Sequence, residues 1–521
     1  MNQNRYELQM QLPPEEAYNT ALLKKALAAK AGISESSISD MQLSKRSIDS
    51  RKKTLVQFTV HYALDGQLLR EQNQDFRFND VSHAKKQVII AGAGPAGLFA
   101  ALRLLEAGIR PVIVERGKPV EERNKDIALL NRNESFNPES NYAYGEGGAG
   151  TYSDGKLYTR STKRGNPERI LQLLQYFGAE PSVFIDTHAH IGTDKLPAII
   201  VAMRKKIEAF GGVFRFSEKI TSLVVKDDKI CGVSTGSGEI IDGDAVIWAT
   251  GHSAKDNYRM LQNHGIEMEA KGFAMGIRIE HPQELINTIQ YKKGYSKLLP
   301  PASYFIANQV NQRGVYSFCM CPGGQIVAAS TEESGVVTNG MSNSKRNSAF
   351  ANAGFVTEIR PEDIAGNDVF RLLDYQLQLE HMAKLNGGLR MQAPAQALAD
   401  FAAGKISSKL PACSYHPGVI SSPMHFWLPE EISSRLKQAL KHFGKFMYGF
   451  LSNEAIAVGV ESRTSSPIRI LRNRDTLESV SCMGFYPCGE GAGYAGGIVS
   501  SAIDGDSVAQ KISASFQHSG Q

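Results

Sequence analysis

The sequence predicts an α/β protein organised around a parallel sheet, and three stretches carry that expectation. The first, Lys86 to Glu115, reads apolar strand, glycine turn, Leu- and Ala-rich helix, then a second β-branched strand. The second, Asp244 to Gly251, is a buried strand ending in Ala-Thr-Gly. The third, Gly484 to Ile498, is again strand and glycine turn, followed by a helix from Val499 to about Lys511. Strands joined through a helix run parallel, because a crossover returns the chain to the same end of the sheet. The expected architecture is a Rossmann-type domain, a central parallel sheet plus a β-meander. An α+β substrate or cap domain is inserted in it, and a small βαββ module precedes it.

The first stretch is the most informative. The run Val88-Ile89-Ile90-Ala91 leads into Gly92-Ala93-Gly94-Pro95-Ala96-Gly97. Gly92 permits a tight turn, Gly94 lets backbone approach a pyrophosphate, and Gly97 lets the helix pack close on the strand. The helix start offers free amides and the positive end of its dipole to phosphate. Glu115 follows the second strand, about 20 residues on, where an acid accepts hydrogen bonds from a ribose. An acid there favours FAD or NAD over NADP. This stretch alone does not choose between the two.

Composition narrows the class. A chain of 521 residues holds two to four domains. With 58 Lys and Arg against 53 Asp and Glu, interleaved along the chain, no basic patch speaks for nucleic acid. No run reaches the eighteen or so apolar residues of a membrane span. The start, Met1 to Glu7, lacks the apolar core of an export signal, so a cytoplasmic protein is expected. The six cysteines are then expected as reduced thiols. No Cys-x-x-Cys occurs, and Cys319-Met320-Cys321 is too closely spaced for a zinc knuckle.

Taken in order, Tyr6–Leu12 alternates like a strand and Pro13-Pro14-Glu15-Glu16 opens a helix reaching about Ala31. Met41–Ser47 and Thr54–Tyr62 read as two further strands, joined by a turn that Asp49 braces. After Glu115 comes the glycine-rich Tyr144 to Leu157, which suits a chain wrapped closely on a ligand, since so many glycines cost backbone entropy. Thr193 to Gly212 has the spacing of a helix. A meander follows: Val213–Phe216, Ile220–Lys226, Ile230–Thr235 and Ile240–Ile241. From about Lys271 to Gly459 strands and helices mix, with an amphipathic helix expected over Leu428–Phe450. The last glycine turn, Gly489 to Gly493, is not a second nucleotide unit, because too little chain follows it for a full βαβ unit.

The three stretches together resemble a glutathione-reductase-type FAD domain, which implies FAD as the cofactor. More narrowly, Tyr144–Leu157, Ser317–Gly324, Asn339–Arg346 and Glu461–Pro467 resemble a bacterial group labelled FAD-dependent or NAD(FAD)-utilizing dehydrogenases. That likeness runs over nearly the whole chain and implies no particular reaction. Related flavoproteins often carry Asp where Glu490 stands here, and disulfide reductases carry a cysteine pair after the first ribose acid that this chain lacks.

The resulting division is 1–80 for the N-terminal module, 84–268 and 459–521 for the FAD-binding domain, and 269–458 for the inserted domain. Residues expected at the cofactor are Gly92, Gly94, Pro95, Ala96, Gly97, Glu115 and Arg116 from the first stretch. Gly147, Gly148, Ala149, Gly150 and Thr151 join them from the glycine-rich segment, with Ile220 from the meander. Ala249, Thr250 and Gly251 come from the second stretch; Gly489, Glu490, Gly497 and Ile498 come from the third. Arg463, Lys156 and His416 are the catalytic candidates: the cations for negative charge on reduced flavin or a substrate carboxylate, the histidine as acid or base. Cys319 and Cys321 are candidate thiolates, and His188 and His190 lack a partner for a metal. The expected function is an FAD-dependent oxidoreductase moving hydride between flavin and an organic substrate. Without a second nucleotide unit, NAD(P)H would dock transiently. An FAD-using RNA-modifying protein and a non-enzymatic flavin-binding protein are the alternatives. The oligomeric state is open.

Overall fold

A computed structural model describes residues 5–68, 75–158 and 165–518. The reading of the N-terminus rests partly on residues 1–4, which lie outside the described residues. Five parallel strands form the central sheet. In spatial order they are Phe485–Pro487, Ala245–Trp248, Gln87–Ala91, Arg110–Val114 and Val213–Arg215. The strand period of two sorts their side chains cleanly. Val88 and Ile90 face helices Pro95–Glu106, Leu196–Ala209 and Ile498–His518, whereas Ile89 and Ala91 face a three-stranded meander.

That meander is Ile220–Lys226, Lys229–Thr235 and Ile240–Asp242. Val213–Arg215, expected as its first strand, belongs to the parallel sheet instead. Helix Leu196–Ala209 acts as a crossover and delivers it beside Arg110–Val114.

The segment between the two parts of this domain builds a mostly antiparallel eight-stranded sheet. Its spine is Ala307–Val310, Arg313–Ala328, Phe350–Ile359, Phe273–Pro282, Ile456–Glu461, Ala393–Ala397 and Val419–Ser421, with Thr338–Ser342 also paired to Arg313–Ala328. The amphipathic helix spans Glu430–Gly444, shorter than expected. Beyond it the chain folds back, with Gly449 at φ +87°, and buries Phe450, whose carbonyl accepts from His281 Nε2 at 2.9 Å.

The N-terminal module has strands Arg5–Leu12, Asp40–Asp49 and Leu55–Ala63, with the last in the middle. Helix Thr20–Ala31 is capped by Asn19, whose side chain accepts from the amides of Ala21 and Leu22, and stops at Gly32 in the left-handed conformation. Val56, Phe58 and Val60 pack beneath Leu23 and Leu27. Arg46 ties the module to the loop beyond, with Nε at 2.6 Å and Nη2 at 2.9 Å from the Asp186 carboxylate. No described helix is long and apolar enough to cross a membrane.

Candidate active site

Three glycine-rich turns meet at the carboxyl ends of the parallel strands, where a doubly wound sheet binds its ligand. In the first, Gly92 has φ +102°, and a Cβ there would lie 2.6 Å from the Ala249 carbonyl oxygen. Gly94 caps helix Pro95–Glu106, and Pro95 fills the first helical position, where its missing N–H costs nothing. A Cβ on Gly97 would meet the Gly92 carbonyl oxygen at 2.0 Å, so only glycine lets this helix lie on its strand.

The glycine-rich segment closes over that turn. Gly147 donates its amide to the Ala93 carbonyl at 2.9 Å, and a Cβ on Gly148 would come within 3.2 Å of Gly94 Cα. The third turn meets both others: a Cβ on Gly489 would be 2.9 Å from Ala96 Cβ, and one on Gly491 would be 2.4 Å from the Gly251 carbonyl oxygen. The turns around Gly94 and Gly491 therefore border one site.

The site is a cavity of about 2160 Å³. A small-molecule pocket spans roughly 300–1,000 Å³, so this one has room for a large cofactor and a second ligand. Most residues expected at the cofactor line it: Gly92, Gly94, Pro95, Ala96, Glu115 and Arg116, then Gly148, Ala149, Gly150 and Ile220. Ala249, Thr250, Gly251, Glu490, Gly497 and Ile498 line it too. Four do not. Gly97, Gly147 and Gly489 stand behind the wall, Gly97 against the Gly92 backbone and the other two against the side chains of Thr151, Ile200 and Ala96. Thr151 is fully buried, turned away, with its hydroxyl on the Glu146 carbonyl at 2.8 Å.

Glu115 does more than wait for a ribose. Its Oε2 accepts from the Ala93 amide, and its Oε1 from the amides of Gly117 and Gly145, each at 2.9 Å. With about four lone-pair sites on a carboxylate, capacity for a ribose hydroxyl remains on Oε2. Arg116 is spent on ion pairs with Glu139 at 2.6 Å and Asp256 at 3.1 Å, above the Tyr144 ring. Glu490 Oε1 lies 3.7 Å from His252 Nδ1.

The catalytic candidates separate. Arg463 lines the cavity but clasps Glu380 with Nε and Nη2, each at 3.0 Å. Lys156 lines it too, with Nζ 3.0 Å from Asp154 Oδ2 and 3.8 and 3.7 Å from the sulfurs of Cys319 and Cys321. The expectation for His416 is corrected. It stands exposed on a turn and meets Gln325 at 3.3 Å, outside the cavity lining. Its neighbour Tyr415 is the buried anchor of that turn, with its hydroxyl on the Met391 carbonyl, which throws His416 outward. His188 and His190 both border the cavity, and no described group of His, Cys, Asp or Glu is placed to hold a metal.

Two members of the charge cluster at Lys156 escaped the sequence reading. Asp154 is 1% exposed, and burial raises its carboxyl, but Lys156 and Arg346 outweigh that and hold it far below the carboxylate range. Arg346 reaches it at 2.7 Å from 192 residues away. An acid two places before a lysine in a glycine-rich run was the visible signal; the distant arginine left none.

These features fit a flavin dinucleotide: a glycine cradle that Cβ atoms would fill, a helix N-terminus for the diphosphate, and a buried acid beside the first turn. Family models agree. Residues 85–126 match an FAD binding domain, 272–464 the C-terminal-like domain of an FAD-dependent protein, and 4–64 a domain of unknown function. FAD is the cofactor, and the class defined is an FAD-dependent protein. A protein of Clostridium beijerinckii described as uncharacterized is 38% identical over 515 residues, 95% of this chain and 96% of that one. The chain belongs to that protein's family.

More distant likenesses were also found. A thiamine thiazole synthase of Aeropyrum pernix is 25% identical over 206 residues, 36% of this chain and 63% of its own. The structure of 2,6-dihydroxypyridine-3-hydroxylase from Arthrobacter nicotinovorans aligns with a TM-score of 0.38 at 13% identity, over 84% of each chain. A glycine oxidase from Bacillus cereus aligns at 0.32 and 12%, over 82% of this chain and 98% of that one. Likeness at these levels transfers no function to the chain.

Proposed function

We propose that this protein oxidises or reduces a small organic molecule bound in the outer half of the cavity, between the cofactor cradle and the inserted sheet. One observation carries the reading: the cavity continues past the glycine turns to Lys156 and Tyr316, and on to Arg46 of the N-terminal module. Bound FAD supplies the redox chemistry by taking or giving a hydride. The chain's own residues hold the partner in place. Lys156 presents an ammonium to the cavity and suits a substrate with an anionic or carbonyl group. Arg463 braces the wall with its charge already matched by Glu380. The N-terminal module closes the far side and shields the site from water.

The described residues contain one glycine-turn βαβ unit with its sheet, so a reduced nicotinamide would dock from solution rather than in a domain of its own. The balanced, interleaved surface charge favours a small-molecule partner over nucleic acid. The test is a visible spectrum of the purified protein, then anaerobic addition of NADH, NADPH and candidate substrates. A yellow protein bleached by one of them is expected. A yellow protein that no donor bleaches, yet that light reduces, would leave only a flavin-binding role.

A further inference from the structure

Strand Arg313–Ala328 loses register with Phe350–Ile359 between Phe318 and Cys321. Cys319 sits in that irregularity at φ +44°. A left-handed non-glycine residue costs on the order of 1–3 kcal/mol and persists only where its surroundings enforce it. Bulges of this kind re-aim side chains beside sites. Here Cys319 borders the cavity, while Cys321, two residues on, is fully buried.

The charges around the two sulfurs do not balance without them. Lys156 Nζ touches both, and Arg278 Nη2 lies 3.7 Å from Cys321 Sγ. Arg346 is the third cation. Against these stand two carboxylates: Asp154, shared by Lys156 at 3.0 Å and Arg346 at 2.7 Å, and Glu461, 2.9 Å from Arg278. Burial raises Glu461, so the negative count is at most two. His190 and Tyr304, which also face the cluster, are both driven by burial toward their neutral forms. Arg278 and Arg346 are covered, whereas Lys156 keeps 38% of its side chain exposed at the cavity; a thiolate on the sulfur beside Lys156 would supply the third negative charge. The Cys321 thiol lies against Cys319, donating to its carbonyl at 3.3 Å, and this neighbour pulls the Cys319 thiol well below its ordinary value, with Lys156 and Arg278 assisting against burial. The same contact and burial keep Cys321 protonated.

We infer that Cys319 and Cys321 form a reversible dithiol couple for disulfide substrates entering the cavity, with Cys319 attacking and Cys321 resolving. In the first step the Cys319 thiolate attacks one sulfur of the disulfide. The substrate S–S bond breaks, one half leaves as a thiolate, and a mixed disulfide forms on Cys319. Cys319 has now lost its charge, so the unbalanced cations favour ionisation of Cys321. Cys321 attacks Cys319 Sγ, the second half leaves with the Cys321 proton as a thiol, and a Cys319–Cys321 disulfide remains. The substrate disulfide is reduced by two electrons and the protein dithiol is oxidised by two. This reading does not depend on which molecule reacts with the flavin.

The test equilibrates the purified, flavin-loaded protein with reduced and oxidised glutathione at graded ratios. Acid quenching, alkylation and peptide mass mapping follow. In the wild type, the peptide holding both cysteines is expected to lose two hydrogens. In Cys321→Ser, glutathione is expected to accumulate on Cys319 at least ten-fold over any other cysteine. Cys319→Ser should show neither product. The visible flavin spectrum of each variant confirms folding independently of any turnover. Both thiols remaining free in the most oxidising buffer, or stable glutathione on Cys319 of the wild type, would overturn the couple. The pH profile of iodoacetamide labelling at Cys319 supplies a second readout. A midpoint well below the roughly 8.5 of a free cysteine is expected, with Lys156→Met raising it. A wild-type midpoint near 8.5 would overturn the thiolate.

Discussion

Glu115 Oε2 accepts the amide of Ala93 at 2.9 Å, which ties the end of the second parallel strand to the first glycine turn. The same carboxylate holds Gly117 and Gly145, so one buried side chain sets the position of two turns. Glu115→Ala leaves three amides without their acceptor, each worth about 1–3 kcal/mol when buried and unpaired. Glu115→Gln keeps the size but offers an NH₂ to amides that need an acceptor. Both variants are expected to bind flavin at least ten-fold more weakly, roughly 1.4 kcal/mol. Flavin-to-protein absorbance after gel filtration, with a binding titration of the apoprotein, checks this. Flavin retention equal to wild type in both variants would contradict it.

Arg463 and Glu380 form a two-pronged pair, with side chains 9% and 3% exposed. Glu380 also accepts from Ser462 Oγ at 2.7 Å. A guanidinium so engaged cannot also clamp a substrate carboxylate, so its expected contribution is to stability. Removing one partner of a buried pair costs about 3–5 kcal/mol. Glu380→Gln is expected to lower the unfolding free energy from denaturant curves by that much while the flavin spectrum keeps its shape. A variant of unchanged stability but lost turnover would return Arg463 to the catalytic list.

The parallel sheet and its turns were legible because their signals are local. A continuous apolar strand, a glycine triplet and a terminal acid lie within thirty residues, as with Val88 to Glu115. The strand Val213–Arg215 was misassigned because its three residues carry no period of their own. What makes it parallel is the helix before it and the partner strand a hundred residues earlier. The ion pairs Arg463–Glu380 and Arg346–Asp154 span 83 and 192 residues. No spacing rule in one sequence names such partners, so an ion pair could be expected of Arg463 but Glu380 could not be named as its partner. The glycine-lined end of the cavity was found through its glycines, whose role is geometric. Its charged wall was not, because charge pairing is decided only when distant loops meet.

Glu280 gives the protein a pH-dependent stability of known sign. It is 1% exposed, and burial pushes its carboxyl up to about 7, against the Ser414 amide and hydroxyl that bond to it. The unfolded-state value is 4.5. A carboxyl raised on folding favours the native state below the unfolded value, and that advantage is lost as pH rises through the folded one. The window therefore runs from about pH 4.5 to 7. A shift of this size corresponds to about 3 kcal/mol. Glu280→Gln, which cannot ionise, is expected to gain stability relative to wild type between pH 5 and 8. Parallel denaturant curves at the two pH values test it, and an unchanged difference between the proteins would reject it.

Gly505 backs the first glycine turn although it does not line the cavity. It lies in helix Ile498–His518, and a Cβ there would sit 2.0 Å from the Ala96 carbonyl oxygen, just inside the helix that the first glycine turn opens. Two effects of Gly505→Ala oppose one another. Alanine favours a helix interior by about 1 kcal/mol over glycine. Overpacking costs typically 1–3 kcal/mol when side chains can yield, and here the neighbour is backbone, which yields less. The clash wins, and the helices separate at Ala96, in the first glycine turn. The variant is expected to lose stability and to bind flavin at least ten-fold more weakly, read by thermal melting and apoprotein titration. Ser513→Ala, farther along the same helix, removes only a local bond to the Ala509 carbonyl, so both readings should stay near wild type. Equal behaviour of the two variants would mean that the close approach of these helices does not position the turn.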